Sequence, residues 1–253
     1  MIKDFFAGFT SYFSAFGTIS RLGLWGYFLV PVVVSLLLAT GLFFSISAIS
    51  GSLIGWIGPW IPWGEIIGGW LFKVLLGLVG LVVFKHLVIA AVSPFMTPLA
   101  QKVEEHMTGR YKKYSGFNGM QAVKDFFRGI TIALRNIIRE LIYIIPLFVI
   151  GLIPMFSIPC MILIFLIQAY YAGFGNLDYT LERHYSVRES ARFVKKNRWL
   201  AIGNGTAFLL LIGTGVGFLV APPLAAVAGA TETVKRLEPI ALEMQADYDE
   251  EYV

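Results

Sequence analysis

Charge is scarce in this chain. Only 14% of its 253 residues are Asp, Glu, Lys or Arg, against about 25% in a soluble domain. Because 57% are hydrophobic, water is not the solvent for most of the surface, and a soluble domain is excluded. Cysteine is nearly absent: Cys160 stands alone, which rules out an intramolecular disulfide and a Cys-rich metal site. The sequence also lacks a Gly-rich phosphate loop, paired histidines at metal-ligand spacing and a Gly-x-Ser-x-Gly elbow. No catalytic residue, cofactor or metal is therefore assigned, and an enzyme is the weaker class.

What is present is a series of apolar blocks spread along the chain, read as a single membrane domain over residues 1–236 followed by an acidic tail, 237–253. Ile2, Phe5, Phe6, Phe9, Phe13 and Phe16 recur at helical spacing and predict an amphipathic helix over residues 2–16 with one aromatic face. That face either lies in the membrane interface or packs on the protein's own helices. Both placements keep the segment in the mature protein, since the pattern of a removable signal is missing.

From Leu22 to Gly64 there is no charged residue. A bilayer core of about 30 Å needs roughly 20 apolar residues, which places a first span at residues 24–44. Residues 45–64, rich in Gly, Ser and Pro, read as an external interfacial loop with Trp56, Trp60 and Trp63 at the boundary. A second span, 66–92, contains Lys73, Lys85 and His86. The two lysines are expected to snorkel to the headgroups, and His86 to be a hydrogen-bonded structural group. Pro94 and Pro98 are expected to break that helix. Residues 101–140 are polar and basic, with Val123, Phe127, Ile130, Leu134 and Ile138 at helical spacing. They predict a cytoplasmic or surface-bound helix whose charges form a solvated face. His106 and His184, near Glu104, Glu105 and Glu182, read as surface salt-bridge partners rather than metal ligands.

Two further blocks, 141–173 and 200–229, are interrupted by Pro154 and Pro159 and by Gly213, Gly215 and Gly217. Pieces of about 13 residues reach only about 20 Å, so both blocks predict hairpins that enter and leave by one side. The expected fold is all-α integral membrane, with two long transmembrane helices plus two hemi-penetrating (re-entrant) helical hairpins and amphipathic interfacial helices. Basic residues agree, since the segment between the first two spans has no Lys or Arg. Arg110, Lys112, Lys113, Lys124, Arg128, Arg135 and Arg139 precede the first hairpin, and Arg183, Arg188, Arg192, Lys195, Lys196 and Arg198 separate the two. This multi-pass arrangement puts both termini in the cytoplasm. Six full spans would do the same. The net charge of +4 then reflects orientation and contact with anionic membrane lipids, with no nucleic acid required. Glu238, Glu243, Asp247, Asp249, Glu250 and Glu251 predict a disordered end.

Helix N-termini offer free N–H groups and a positive dipole end. Ser20, Arg21, Leu22, Gly23 and Leu24 stand where the chain enters the membrane, with Gly23 permitting close backbone approach and Arg21 a fixed cation. A small oxyanion and a lipid phosphate make similar demands there, and both readings stay open.

The run Asp178-Tyr179-Thr180-Leu181-Glu182-Arg183-His184, together with Ala226-Val227-Ala228-Gly229-Ala230-Thr231 after Pro222 and Pro223, and Ser93-Pro94-Phe95 after the second span, resembles the CysZ family of bacterial sulfate permeases. The resemblance covers nearly the whole chain. It implies an inner-membrane permease that takes up sulfate for cysteine synthesis, works as a homo-oligomer, and has two long spans and two half-inserted hairpins. It also implies that the stretch from Ser20 to Leu24 binds sulfate. The family carries Gly-Leu-Arg or Gly-Ile-Arg at that place, whereas this chain has Gly23-Leu24-Trp25. Either Arg21, on the other side of Gly23, aims its guanidinium at the same spot, or the site is altered and the substrate is a different one. A second class of function, a non-transporting protein that shapes or scaffolds the membrane, is motivated by the aromatic face of residues 2–16.

Overall fold

The computed structural model describes residues 1–57, 69–109, 119–214 and 217–251. Every regular element among them is helical: α1 (Ile2–Leu22), α2 (Leu29–Ile57), α3 (Gly69–Thr108), α4 (Gly119–Gly151), α5 (Ser157–Leu181), α6 (Val187–Lys196), α7 (Arg198–Gly213) and α8 (Ala221–Glu251). Short 3₁₀ turns occupy Leu24–Phe28, Pro154–Phe156 and Gly217–Leu219. Three stretches are long and apolar enough to cross a bilayer: Leu24–Ser45, Gly77–Thr108 and Pro154–Leu181. The fold is that of an all-α integral membrane protein.

The central post is α3. Its apolar window is 56% buried against 12% for that of α2, so α2 meets lipid while α3 meets protein. Pro94 and Pro98, expected to break the helix, lie inside it. Prolines are tolerated in a membrane helix when other groups satisfy the freed backbone. The carbonyls freed here are those of Ala90 and Pro94. Beside them Tyr179 and Arg183, at the end of α5, tie down the same stretch of α3, the Tyr179 hydroxyl donating to Ile89 O at 2.8 Å and an Arg183 guanidinium N–H to Thr97 O at 3.1 Å. The first span also runs on: α2 continues helical to Ile57 where a loop from residue 45 was expected. Trp60 and Trp63 lie outside the described residues, as do Arg110, Lys112, Lys113 and Gly215, and the side chains of Trp56 and Lys73.

In α4 the expected orientation is reversed. Val123, Phe127, Leu134 and Ile138 are exposed, while Asn136 and Glu140 are fully buried and Arg128 is largely buried. The apolar stripe faces outward because the solvent on that side is lipid, and the polar stripe turns inward to find partners. A solvated charged face is therefore not what this stripe forms.

The first interrupted block breaks at Leu152 to Phe156, and Pro159 sits in the first turn of α5, where proline needs no backbone donor. As a result α5 is 25 residues long, about 37 Å, and the argument that its pieces are too short to cross fails. In the second block α7 has 16 residues, about 24 Å, and ends at Gly213, while α8 beyond the break is 31 residues long. The last helix continues through the acidic segment to Glu251, where strong helix formers such as Ala241, Leu242, Glu243 and Met244 outweigh the charge. The expected disordered tail is thus a helix.

Glycines let α7 lie between α1 and α5 at backbone contact. A Cβ on Gly203 would collide with the Phe5 backbone, one on Gly205 with Ala169, one on Gly173 with Ala201 and one on Gly8 with Leu200. This is small-residue packing of the kind that holds membrane helices together. The stripe of α1 that packs inward is Gly8, Ser11, Tyr12, Ala15 and Ile19, whereas Phe6, Phe13 and Phe16 point outward. Of the aromatic face, Phe9 packs against the core, so the face divides between the protein and the outside. On α6, a capping box between Ser186 and Glu189 fixes the helix start, and the Ser186 hydrogen bonds hold the Glu189 carboxyl below its usual range.

Candidate functional site

Two places bring chemically distinctive groups together. The first is the turn between α1 and the first span. Gly23 caps α1 in the left-handed region at φ 65°, ψ 32°, and its N–H donates back to the Ile19 and Ser20 carbonyls. That N–H is consumed by the cap. The donors left for an anion are those of Leu24 and Trp25, which open the following 3₁₀ turn, because the Gly26 N–H closes its first ring on the Gly23 carbonyl. Arg21 and Ser20 are exposed on the α1 side, and among the described residues Arg21 has no ion-pair partner. Leu22 is half-buried and Leu24 buried, so both position backbone rather than offer side chains. Trp25, at the place where the family resemblance expects Arg, packs edge-on against Phe16 at 5.3 Å and tilted on Phe28 at 5.1 Å. Those contacts make it an aromatic brace for the turn.

The second place is a polar seam inside the body, between α3, α4 and α5. Lys85 donates to Glu140 and to the Gln168 carbonyl at 3.1 Å, and His86 Nε2 lies 2.8 Å from the other Glu140 oxygen. Lys85 and Glu140 have no exposed side-chain surface, so the expected snorkelling of Lys85 is wrong. A charge at that depth keeps its ionised form only beside a partner, and Glu140 is that partner. The structural role expected of His86 is what the geometry gives.

One turn earlier on α4, Asn136 is fully buried and neither amide atom has a protein partner. It lines a small cavity together with His86, Ser93, Gly175 and Asp178. Two turns further on lies Arg128, whose guanidinium makes a forked pair with Asp178 at 3.1 and 3.0 Å and reaches the Tyr185 carbonyl and Ser190 hydroxyl at 3.0 and 2.9 Å. Arg128, Asn136 and Glu140 thus repeat at multiples of four residues along one stripe, covering about 18 Å.

Near the end of α3, Glu104 holds both Arg183, at 2.5 Å, and His184, at 2.8 Å, and Thr97 donates to Glu182. The salt-bridge role expected of His184 is met. Among the described residues no group of His, Cys, Asp and Glu side chains is arranged to hold a metal.

The sequence reading missed Glu140, Asn136 and the Arg128–Asp178 pair. The available signal was the four-residue repeat of polar side chains opposite an apolar stripe on a helix that continues into a hydrophobic block.

The family described as Sulfate transporter CysZ/Etoposide-induced protein 2.4 matches residues 11–223. The chain is 27% identical over 215 residues to the sulfate transporter CysZ of Pseudomonas fluorescens, covering 83% of this chain and 85% of that one. It is 28% identical over 220 residues to that of Vibrio parahaemolyticus, covering 81% and 84%, and 28% identical over 224 residues to that of Vibrio cholerae, covering 83% and 85%. The matched stretch contains both the Gly23 turn and the whole polar seam, and the chain belongs to the Sulfate transporter CysZ/Etoposide-induced protein 2.4 family.

Proposed function

We propose that the protein is a permease for sulfate, or an oxyanion of the same shape and charge, in a bacterial inner membrane. The observation that carries this reading is the alignment with proteins named sulfate transporter over four-fifths of the chain, on a fold with an unpaired cation and free helix N–H groups at the membrane mouth. Sulfate first meets Arg21 and the N–H groups after Gly23, with Ser20, Leu22 and Leu24 shaping the turn. Inside, it meets Lys85 and Arg128, each already holding a carboxylate. Passage past them requires an exchange of anionic partners, so the seam acts as a gate within a channel-like path.

In this reading α4–α5 and α7–α8 are half-inserted hairpins, both termini lie in the cytoplasm, and copies of the chain assemble so that the hairpin tips are covered. The shortness of α7 supports the second hairpin. The exposed apolar tip from Leu152 to Leu163 supports membrane insertion of the first. Uptake of this kind would feed cysteine synthesis. Expression in a bacterium deprived of its own sulfate uptake tests that link: growth on limiting sulfate, rescued by the wild-type chain and equally without it when cysteine is supplied, is expected. Failure of an inserted, folded chain to restore growth on sulfate would count against it.

The exposed Phe6, Phe13 and Phe16 on α1 favour a second reading, a membrane-shaping scaffold. Vesicle deformation without anion permeability would support it instead.

A further inference from the structure

A groove of about 420 Å³ runs between α4, α5 and α7, away from both sites described above. Leu163, Leu166 and Ile167 line it along α5, with Tyr170 beside them, and Lys195 and Arg198 stand at the corner where α6 turns into α7. No Asp or Glu lines it, and among the described residues neither cation has a carboxylate partner. The corner offers further donors. Asn197, at the start of α7, does not cap the helix with its side chain but donates to the Phe193 carbonyl at 3.0 Å, which leaves the first-turn N–H groups of α7 without a side-chain acceptor.

An apolar trough closed at one end by two cations and uncapped N–H groups matches one chemistry: an acyl chain along the trough and a phosphate at its end. We propose that this groove binds one anionic glycerophospholipid, with its phosphate on Lys195, Arg198 and the start of α7 and an acyl chain along Leu163, Leu166 and Ile167. A phosphate without a chain would leave the trough unfilled, and a neutral headgroup would leave two cations without a net counter-charge. The volume lies within the usual range for a single bound molecule, roughly 300–1,000 Å³. Basic residues beside a membrane surface attract such anionic lipids, and Lys195 and Arg198 are the two that line the groove.

The test is lipid retention by the purified full chain, measured by native mass spectrometry in matched detergent with added dioleoyl phosphatidylglycerol or dioleoyl phosphatidylcholine. Wild type is expected to prefer phosphatidylglycerol. The pair Lys195→Gln with Arg198→Gln should lose about 30-fold of that preference, while Arg192→Gln with Lys196→Gln, an equal loss of charge outside the groove, should keep it. Ile167→Trp, which fills the trough, should weaken retention of both lipids. The proposal is overturned if the first pair keeps the preference, if both pairs lose it equally, or if wild type holds the two lipids alike. It is also overturned if groove residues cross-link only between copies of the chain while lipid retention is unaffected by the groove variants.

Discussion

Lys85 on α3 and Glu140 on α4 meet fifty-five positions apart in sequence with no side-chain surface exposed, and among the described residues Glu140 is the one carboxylate bonded to Lys85. Removing one partner strands the other. Glu140→Met should lower stability by about 3–5 kcal/mol, because a buried ammonium is left without its counter-charge, and Lys85→Met should strand the carboxylate likewise. Replacing both, as Lys85→Met with Glu140→Met, should recover most of that loss, short of the His86 hydrogen bond, worth about 1–3 kcal/mol when its acceptor is removed. Thermal unfolding of the four members of this cycle in one detergent checks it. A loss in the double variant equal to the sum of the two single losses would mean that the pair is not coupled.

The glycines of α7 make a second expectation. Gly203→Ala and Gly205→Ala each place a methyl group into a neighbouring backbone, and overpacking of this kind should cost about 1–3 kcal/mol. Gly17→Ala on α1, with open space around it, should instead raise stability by about 0.5–1 kcal/mol through helix propensity. Midpoints of thermal unfolding for the three variants should therefore move in opposite directions.

Arg128 joins three helices by bonding Asp178 on α5 and, around the start of α6, the Tyr185 carbonyl and Ser190. Arg128→Lys keeps the charge and loses the fork. Hydrogen exchange across residues 187–196 should become faster in this variant while exchange in α7 is unchanged. Unaltered protection of α6 would show that its own buried Phe193 and Val194 suffice to dock it.

At the mouth of the first span, Arg21→Ala removes a charge-assisted hydrogen bond worth about 1.5–3 kcal/mol. Sulfate binding should weaken roughly tenfold to a hundredfold, with Arg21→Lys intermediate. Gly23→Ala should cost about 1–2 kcal/mol of stability, since only glycine adopts this left-handed cap freely. Isothermal titration with sulfate separates the two effects: unchanged affinity in Arg21→Ala would assign Arg21 to lipid phosphate alone.

The helices were largely legible in the sequence because lipid-facing apolar runs need no partner to be recognised, as Val30 to Leu38 illustrates. Their limits were less so. Pro94, Pro98 and Pro159 look alike as letters, yet one sits in a first turn and the other two in a stretch of α3 bonded by Tyr179 and Arg183, some ninety residues away. The Gly23 turn was found because glycine beside a membrane-entering helix has a local signature. Its cap geometry, which uses up the Gly23 N–H, was not. The polar seam was hidden for a different reason. Lys85 alone is compatible with snorkelling or with burial, and only the position of Glu140, set by how α4 turns its polar stripe inward, decides between them. Reading amphipathic spacing as a water-facing charge run assumed the wrong solvent for the apolar side.

The most direct test of the account is labelled sulfate flux into proteoliposomes containing the folded wild-type chain, with Arg21→Ala alongside. Sulfate should enter well above the rate of empty liposomes, and Arg21→Ala should slow entry at low sulfate while losing much of that defect at high sulfate, as expected for a weakened capture site. Flux no greater than that of empty liposomes, with wild-type protein correctly inserted and intact, would contradict the assignment as a sulfate permease.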